Sequence, residues 1–562
     1  MPHSWTRRNL LLAGATSGAV ASAGQQDDLA GRELERAIAA RHDYAVRDLL
    51  RRQVADATSP WRGSFADSTE LCFPGPAAGA VELFMAAYLH PASRFHREAV
   101  LVERMRLAVG FLERSQNPEG NLDLPITNFN SPPDTAFCVN HVATAALLAR
   151  RAGQAELAKL PERFLRRAME GLLRGGVHTP NHRWVVCSAL AQLWELYREP
   201  ACLGRIEQWL AEGIDIDTDG QYSERSTLIY NSVTNRALII MAAKLGRDEL
   251  LEPVRQNLNS LLYLLHPDGE VVTEISRRQD QYQRGDAASY WFALQYLALR
   301  DGDGRFAALA RRYFPRQAYL STIMEFPELL RPLPPQTPLP TDYERLFPAL
   351  GIARIRRGAL SATIFLRGQS RFLHMRRGAA VVEAVRMASA FFGKGQFVPQ
   401  RGEKRGGSYQ LEQTLEGDYL QPLDPPRRID PEDWASSRSQ RRRTQVCTLT
   451  QRATVSETAS GFRLRLEVRG TERVPVAVEI NLRPGGRLEG AEAAPGVSDA
   501  WLFHGGEVRY RVGADTLAIG PGLREHAYTQ VRLAEPKLQG PSLYLTGYSP
   551  LDHTVEFRWE TA

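Results

Sequence analysis

The hydrophobic period of this chain changes once, from about 3.6 residues to two, and the change falls at a proline-rich stretch. From residue 28 to about residue 315, apolar side chains return at helical spacing. Leu83, Phe84, Ala87 and Tyr88 mark one helix, and Leu101, Met105, Leu107, Val109, Phe111 and Leu112 mark the next. Residues 142–148, 184–196, 237–245 and 290–299 continue the pattern. About ten or eleven helices are expected, joined by segments rich in Pro, Gly, Asn and Asp. No fixed-length repeat runs through them, which disfavours a consensus solenoid. Paired helices closing into an (α/α) toroid, an incomplete barrel of helical hairpins, are the expected architecture of residues 28–328.

Residues 330–340 read Leu-Arg-Pro-Leu-Pro-Pro-Gln-Thr-Pro-Leu-Pro, an extended linker placed within residues 329–348. Beyond it, residues 360–365, 380–385, 461–468, 474–482, 507–512 and 554–559 alternate as strands between turn residues. Strands in series predict an antiparallel β-sandwich over residues 349–562. Residues 399–445 are polar and rich in Pro and Arg, and a long surface excursion is expected there. The fold class is therefore multidomain, α then β.

Composition narrows the function classes. The 562 residues suit two or three domains, and the net charge of +6 suits an acidic ligand without requiring one. Arg438 and Arg441 to Arg443 cluster, but without interleaved aromatics or a reader motif they do not make a nucleic-acid surface. Cys72, Cys138, Cys187, Cys202 and Cys447 form no CxxC and no zinc spacing. No metal and no cofactor is expected. At the N-terminus, Thr6-Arg7-Arg8-Asn9-Leu10-Leu11, an apolar stretch to Ala21 and the Ala21-Ser22-Ala23 cleavage site have the order of a twin-arginine export signal over residues 1–23. A periplasmic or secreted protein is expected, with no membrane anchor after cleavage.

Two stretches carry the chemistry. Pro180-Asn181-His182-Arg183-Trp184 is one, and the run from Asp219 to Asn231 is the other. Together they supply an amide, an imidazole, guanidinium groups and the phenols of Tyr222 and Tyr230. Asn181-His182 resembles the Asn-His pair of the heparinase II/III and alginate-lyase group of polysaccharide lyases. Asp219-Gly220-x-x-x-Glu224-x-Ser226, followed by Tyr230, resembles that group's D-G-x-x-x-E-x-S segment leading to a catalytic tyrosine. Tyr230 stands one residue later than that pattern, and Asn231 stands where a histidine often follows. The choice between Tyr222 and Tyr230 stays open. Tyr222, in a Gly/Gln turn, is expected to face a cleft, and Tyr230, among Leu228, Ile229 and Val233, could be a core aromatic.

The resemblance implies a toroid followed by a sandwich, an acidic polysaccharide as partner and cleavage of a uronate polymer by β-elimination. The proton beside the uronate carboxylate is a poor acid, so amide, imidazole and guanidinium donors around that carboxylate stabilise the charge that develops. Asn181, His182 and Arg225 are the candidates, with a tyrosine as base within hydrogen-bond reach. A free phenol has a pKa of about 10, and a cationic neighbour favours its ionised form. Substrate contacts are expected from Asn130, His141, Arg183 and Glu224, and from His374, which the related enzymes supply from the sandwich. Structural roles compete at each position. Asn181 could cap the helix beginning at His182, Asp134 could cap the helix after it, and Asp219-Gly220 is first a turn signal. Trp184, Trp194, Trp209 and Trp291 could stack on sugars or fill the core. Two other functions fit the same architecture: a toroidal glycoside hydrolase using Asp134, Asp219 or Glu224, and a non-catalytic carbohydrate-binding protein.

Overall fold

The computed structural model describes residues 23–313 and 318–560, and the export signal expected over residues 1–23 lies, but for its last residue, outside them. Contacts between residues divide the chain into two compact units. The first comprises residues up to Ile214, Ser232–Arg255 and Ala288–Pro338, and the second Asp215–Asn231, Gln256–Ala287 and Leu339–Ala562. Periodicity placed 215–231 and 256–287 with the helices, but they cluster with the strands.

The first unit is a series of helical hairpins. Its helices are α1 (Ala23–Arg52), α2 (Pro74–Leu89), α3 (Ala99–Ser115), α4 (Pro132–Arg151), α5 (Ala155–Lys159), α6 (Glu162–Arg174), α7 (Pro180–Tyr197) and α8 (Pro200–Leu210). They continue as α9 (Tyr230–Leu245) from Ser232 on, α10 (Leu251–Leu261) as far as Arg255, α11 (Trp291–Asp301), α12 (Gly304–Arg312) and α13 (Leu320–Glu325). Helix α2 packs on α3 and α4, α4 on α7, and α7 on α8. Helices α2, α4 and α7 are apolar nearly all round, the pattern of helices buried between neighbours, whereas α6 is strongly two-faced. No described helix is long and apolar enough to cross a membrane.

His42 shows how tightly this unit holds a titratable group. Its Nε2 lies 2.9 Å from the Leu83 carbonyl, and its Nδ1 accepts the Leu320 amide at 3.2 Å. One nitrogen donates and the other accepts, so the neutral ring fits. Burial pushes its pKa down to about 4, outweighing the Leu83 hydrogen bond and nearby carboxylates, which raise it. The unfolded chain protonates His42 near its ordinary value of 6.5. The neutral ring's contribution is therefore fully present above about pH 6.5 and is lost as pH falls toward 4. A loss of about 3 kcal/mol from this residue is expected over that window. Urea midpoints measured from pH 7 to pH 4 should show it, with a flatter profile in His42→Asn.

The second unit is a β-sandwich. Its strands are β1 (Asp342–Phe347), β2 (Ile352–Arg357), β3 (Leu360–Phe365), β4 (Leu373–Arg377), β5 (Ala380–Ser389), β6 (Arg401–Arg405), β7 (Ser408–Leu420), β8 (Arg443–Thr458) and β9 (Gly461–Gly470). They continue as β10 (Pro475–Leu482), β11 (Arg487–Glu489), β12 (Ala491–Ala493), β13 (Ala500–Phe503), β14 (Val508–Val512), β15 (Asp515–Gly520), β16 (Ser542–Tyr548) and β17 (Leu551–Glu560). One sheet has the order β11-β14-β15-β17-β9-β8-β7-β6, and the other β12-β13-β16-β10-β5-β4-β3-β2-β1. Pairing is antiparallel throughout except between β13 and β16. Two sequence expectations are corrected here. The stretch 399–445 is not a single excursion, because Tyr409, Leu411, Gln413 and Leu415 alternate with more exposed residues and form β7. The linker also ends earlier than residue 348, since residues 342–347 pair with β2 as an edge strand.

Alternation along the second sheet positions the site. Ala353 and Ile355, Ala362 and Ile364, Leu373 and Met375 point into the sandwich core. Their neighbours Arg354, Ser361, Thr363, His374 and Arg376 therefore occupy the other face. That face is buried too. Segment 256–287 lies along it: Thr363 donates to Glu274 at 2.6 Å, and the Arg376 guanidinium pairs with Glu270. Arg354, fully buried, donates to Tyr263 O, Ala362 O, Ser361 Oγ and Thr363 Oγ1.

Candidate functional site

The second unit gathers a phenol, an amide and a guanidinium around the start of α9. Tyr230 is half-buried, and its hydroxyl accepts a hydrogen bond from Gln279 Nε2 at 2.5 Å. The Arg278 guanidinium carbon lies 5.5 Å from the centre of the Tyr230 ring, and Arg278 Nε lies 3.6 Å from Glu224. Neither Arg278 nor Gln279 was singled out by the sequence. The polar run Arg277-Arg278-Gln279-Asp280-Gln281-Tyr282 was the available signal, but it is far from Tyr230 along the chain.

Asp280 holds this arrangement. It is fully buried and accepts from Ser226 Oγ at 3.0 Å, from the Leu228 amide at 3.0 Å and from Ser276 Oγ at 2.9 Å. Ser226 in turn accepts the Tyr230 amide at 3.0 Å and so caps the first turn of α9. One buried carboxylate thereby ties the loop carrying Gln279 to the segment carrying Tyr230.

The phenol expected to be open is closed. Tyr222 is only 3% exposed, because residue 222 bridges to Ile216 and the ring turns inward, whereas Tyr230 reaches solvent. Arg225 has a positive φ of 49°, and its guanidinium donates to Ala349 O at 2.8 Å with Asp217 at 3.9 Å. Its place as the cation beside the Tyr230 ring is taken by Arg278. Asp219-Gly220 is the expected turn. Asp219 accepts the Leu350 amide at 2.9 Å, and a Cβ on Gly220, at φ +78°, would meet Gln256 O at 2.5 Å. Burial raises the Asp219 pKa, against the Leu350 hydrogen bond, which lowers it. Glu224 is 8% exposed.

A second cluster follows four residues along. Tyr282 has a positive φ of 62°, a conformation costly for a bulky side chain. Its ring stacks on His374 at 6.1 Å between centroids, with Arg371 3.7 Å from its centre. His374 sits on β4 as expected. Burial lowers its pKa, outweighing Glu274 and Glu383, which raise it. Burial likewise raises the Tyr282 pKa, so it remains a neutral phenol near pH 7.

In the first unit Asn181 is 4% exposed and lies inside the first turn of α7, whose N-cap is Thr179. Pro180 at N1 starts the helix one residue before Asn181, so Asn181 is not the cap. His182 stands edge-on to His178 at 4.9 Å and to Phe137 at 6.0 Å. Arg183 pairs with Glu212 at 3.0 Å and covers the Trp184 ring. Asn130, at φ 49°, accepts from Asn117 and Asn121 and donates to Glu119, which makes it a loop staple. His141 pairs with Glu82 of α2; burial raises the Glu82 pKa, but the imidazole beside it prevails and holds it below the ordinary range. The cap of α4 is Ser131, with Asp134 three residues on, not Asp134 itself. Trp184 and Trp291 are core side chains. Asp134, Asp219 and Glu224, the carboxylates available to a hydrolase, are each engaged in these local contacts. Among the described residues, no group of three or more His, Cys, Asp or Glu is placed to hold a metal ion.

No protein-family model matches the chain, and no curated protein matches it in sequence. Solved structures do match. The Streptomyces coelicolor chondroitin AC lyase, solved with chondroitin sulphate, aligns with a TM-score of 0.53 at 15% identity, over 97% of this chain and 81% of its own. A xanthan lyase from Paenibacillus aligns with a TM-score of 0.56 at 11% identity, over 97% of this chain and 58% of its own. A mutant of the heparan sulfate lyase HepC from Pedobacter heparinus aligns with a TM-score of 0.52 at 12% identity, over 94% and 91%. The fold is therefore the (α/α) toroid followed by an antiparallel β-sandwich that these lyases share.

Proposed function

We propose that the chain is a polysaccharide lyase that cleaves a uronic-acid-containing polysaccharide by β-elimination, with Tyr230 as base and acid. The observation that carries this is the half-buried Tyr230 hydroxyl, fixed by Gln279 and overlooked by the Arg278 guanidinium. The likeness of fold to chondroitin, xanthan and heparan sulfate lyases supports it. In the reaction the Tyr230 phenolate takes the C5 proton. The C5–H electron pair becomes the C4=C5 double bond, and the C4–O bond breaks. The leaving oxygen then takes the proton from Tyr230, which regenerates the phenolate. Arg278 supplies positive charge where negative charge appears on the phenol. Export to the periplasm or medium belongs to the same proposal and is checked by cell fractionation.

Ultraviolet absorbance during incubation with a panel of uronate polysaccharides is the test. Rising absorbance from the new double bond, lost in Tyr230→Phe, is the expected result. Reducing ends appearing without absorbance would make the enzyme a hydrolase, and the β-elimination scheme would be abandoned.

A further inference from the structure

A groove of about 850 Å³ runs over the second unit, within the range of ligand pockets, and Tyr282, Arg284, Arg371, Glu383, Arg386 and Glu535 line it. Most of its charges are already matched. Arg284 lies 3.3 Å from Glu383, and Arg386 donates to Glu479 at 2.6 Å and to Glu535 at 2.9 Å. Lys537, also on the groove, donates to the carbonyls of Leu538 and Gly540. Arg371 differs. Its guanidinium packs 3.7 Å from the Tyr282 ring centre, and among the described residues it makes no ion pair and no side-chain hydrogen bond, although Glu383 and Glu535 line the same groove. A guanidinium laid on an aromatic face keeps its in-plane N–H groups available for a bidentate anion. The second observation is His374, 7% exposed, whose Nε2 is buried with no hydrogen-bond partner. His374 lines a smaller cavity that shares Tyr282, Arg284 and Glu383 with the groove. A buried polar atom without a partner is costly, and a bound hydroxyl or carboxylate would satisfy it.

We propose that this groove is a subsite for an anionic sugar unit, with Arg371 reading the anion, Tyr282 its apolar platform and His374 Nε2 bonding a sugar oxygen. This deepens the lyase proposal, since it names what the groove selects, but it rests on binding alone. The anion is a carboxylate or a sulfate ester, and Arg371 suits either.

The test is calorimetric titration of the full chain carrying Tyr230→Phe, so that binding is read without turnover. The probes are an alginate hexasaccharide with carboxylates only, a chondroitin sulfate hexasaccharide with both anions, and a neutral cello-oligosaccharide. Arg371→Ala should weaken anionic binding about 10- to 100-fold, Arg371→Lys less, and the salt dependence of binding should become shallower. Weakening with both anionic probes assigns the carboxylate, and weakening with the sulfated probe alone assigns the sulfate. Unchanged affinity in Arg371→Ala, equal loss with the neutral sugar, or no binding of either anionic probe would each overturn the subsite. Arg371-dependent binding by a protein whose wild type releases no unsaturated product would leave the subsite standing while the lyase proposal falls.

Discussion

Tyr230→Phe is expected to lower the rate of unsaturated product formation by about 10²- to 10⁴-fold, the usual contribution of a positioned acid or base. The substitution removes one oxygen and keeps the ring beneath Arg278. Among the described residues, the hydrogen bond it deletes is the one from Gln279, and that end of the amide is exposed. The stability cost is therefore about 1 kcal/mol or less. Steady-state kinetics and a urea melt on the same preparation separate the two effects. A variant with near wild-type kcat would remove Tyr230 from the chemistry. Tyr222→Phe is the matched control, because its ring is buried, and it should leave kcat within a few-fold of wild type.

Asp280→Ala should be the most damaging single change in the second unit. It removes an acceptor from the Ser226 and Ser276 hydroxyls and from the Leu228 amide, at about 1–3 kcal/mol for each buried group left unsatisfied. A loss of about 3 kcal/mol or more is expected, a large fraction of ordinary domain stability. Activity should fall further than stability explains, because Gln279 and the start of α9 lose their common anchor. A misplacement of about 1 Å at a reacting group can cost about 10²-fold. Asp280→Asn keeps one acceptor oxygen and should recover part of both losses. Equal stability in Asp280→Ala and wild type, measured by urea midpoint, would show that the anchor is not needed.

The change of period announced both halves of the fold, because a packed helix and a one-sided strand bury different spacings of the same apolar residues. That is why residues 360–365 and 461–468 were legible as strands. The stretch from residue 399 was misjudged because charged side chains on its exposed face hid the alternation that Tyr409, Leu411 and Leu415 carry. The outer face of the second sheet was invisible for a related reason. Arg354, His374 and Arg376 look solvent-facing in a strand, yet segment 256–287 buries them, with Arg354 donating to Tyr263 O and Arg376 paired with Glu270.

The candidate site divides in the same way. The sequence alone determined the two architectures, the turn at Asp219-Gly220, the strand position of His374 and the short run that holds both candidate phenols. Those features depend on local period, on glycine's tolerance of positive φ and on residue chemistry within a few positions. Only the tertiary structure decided that Tyr222 is buried and Tyr230 reachable. It also replaced Arg225 with Arg278 beside the phenol, and it joined Asp280 to Ser226. The contacts of Tyr230 with Arg278 and Gln279 and of Ser226 with Asp280 join segments some fifty residues apart, the last pair separated by 54 positions. Side-chain direction at that range is set by packing and by the demand that buried polar groups find partners, and neither leaves a local pattern in the chain.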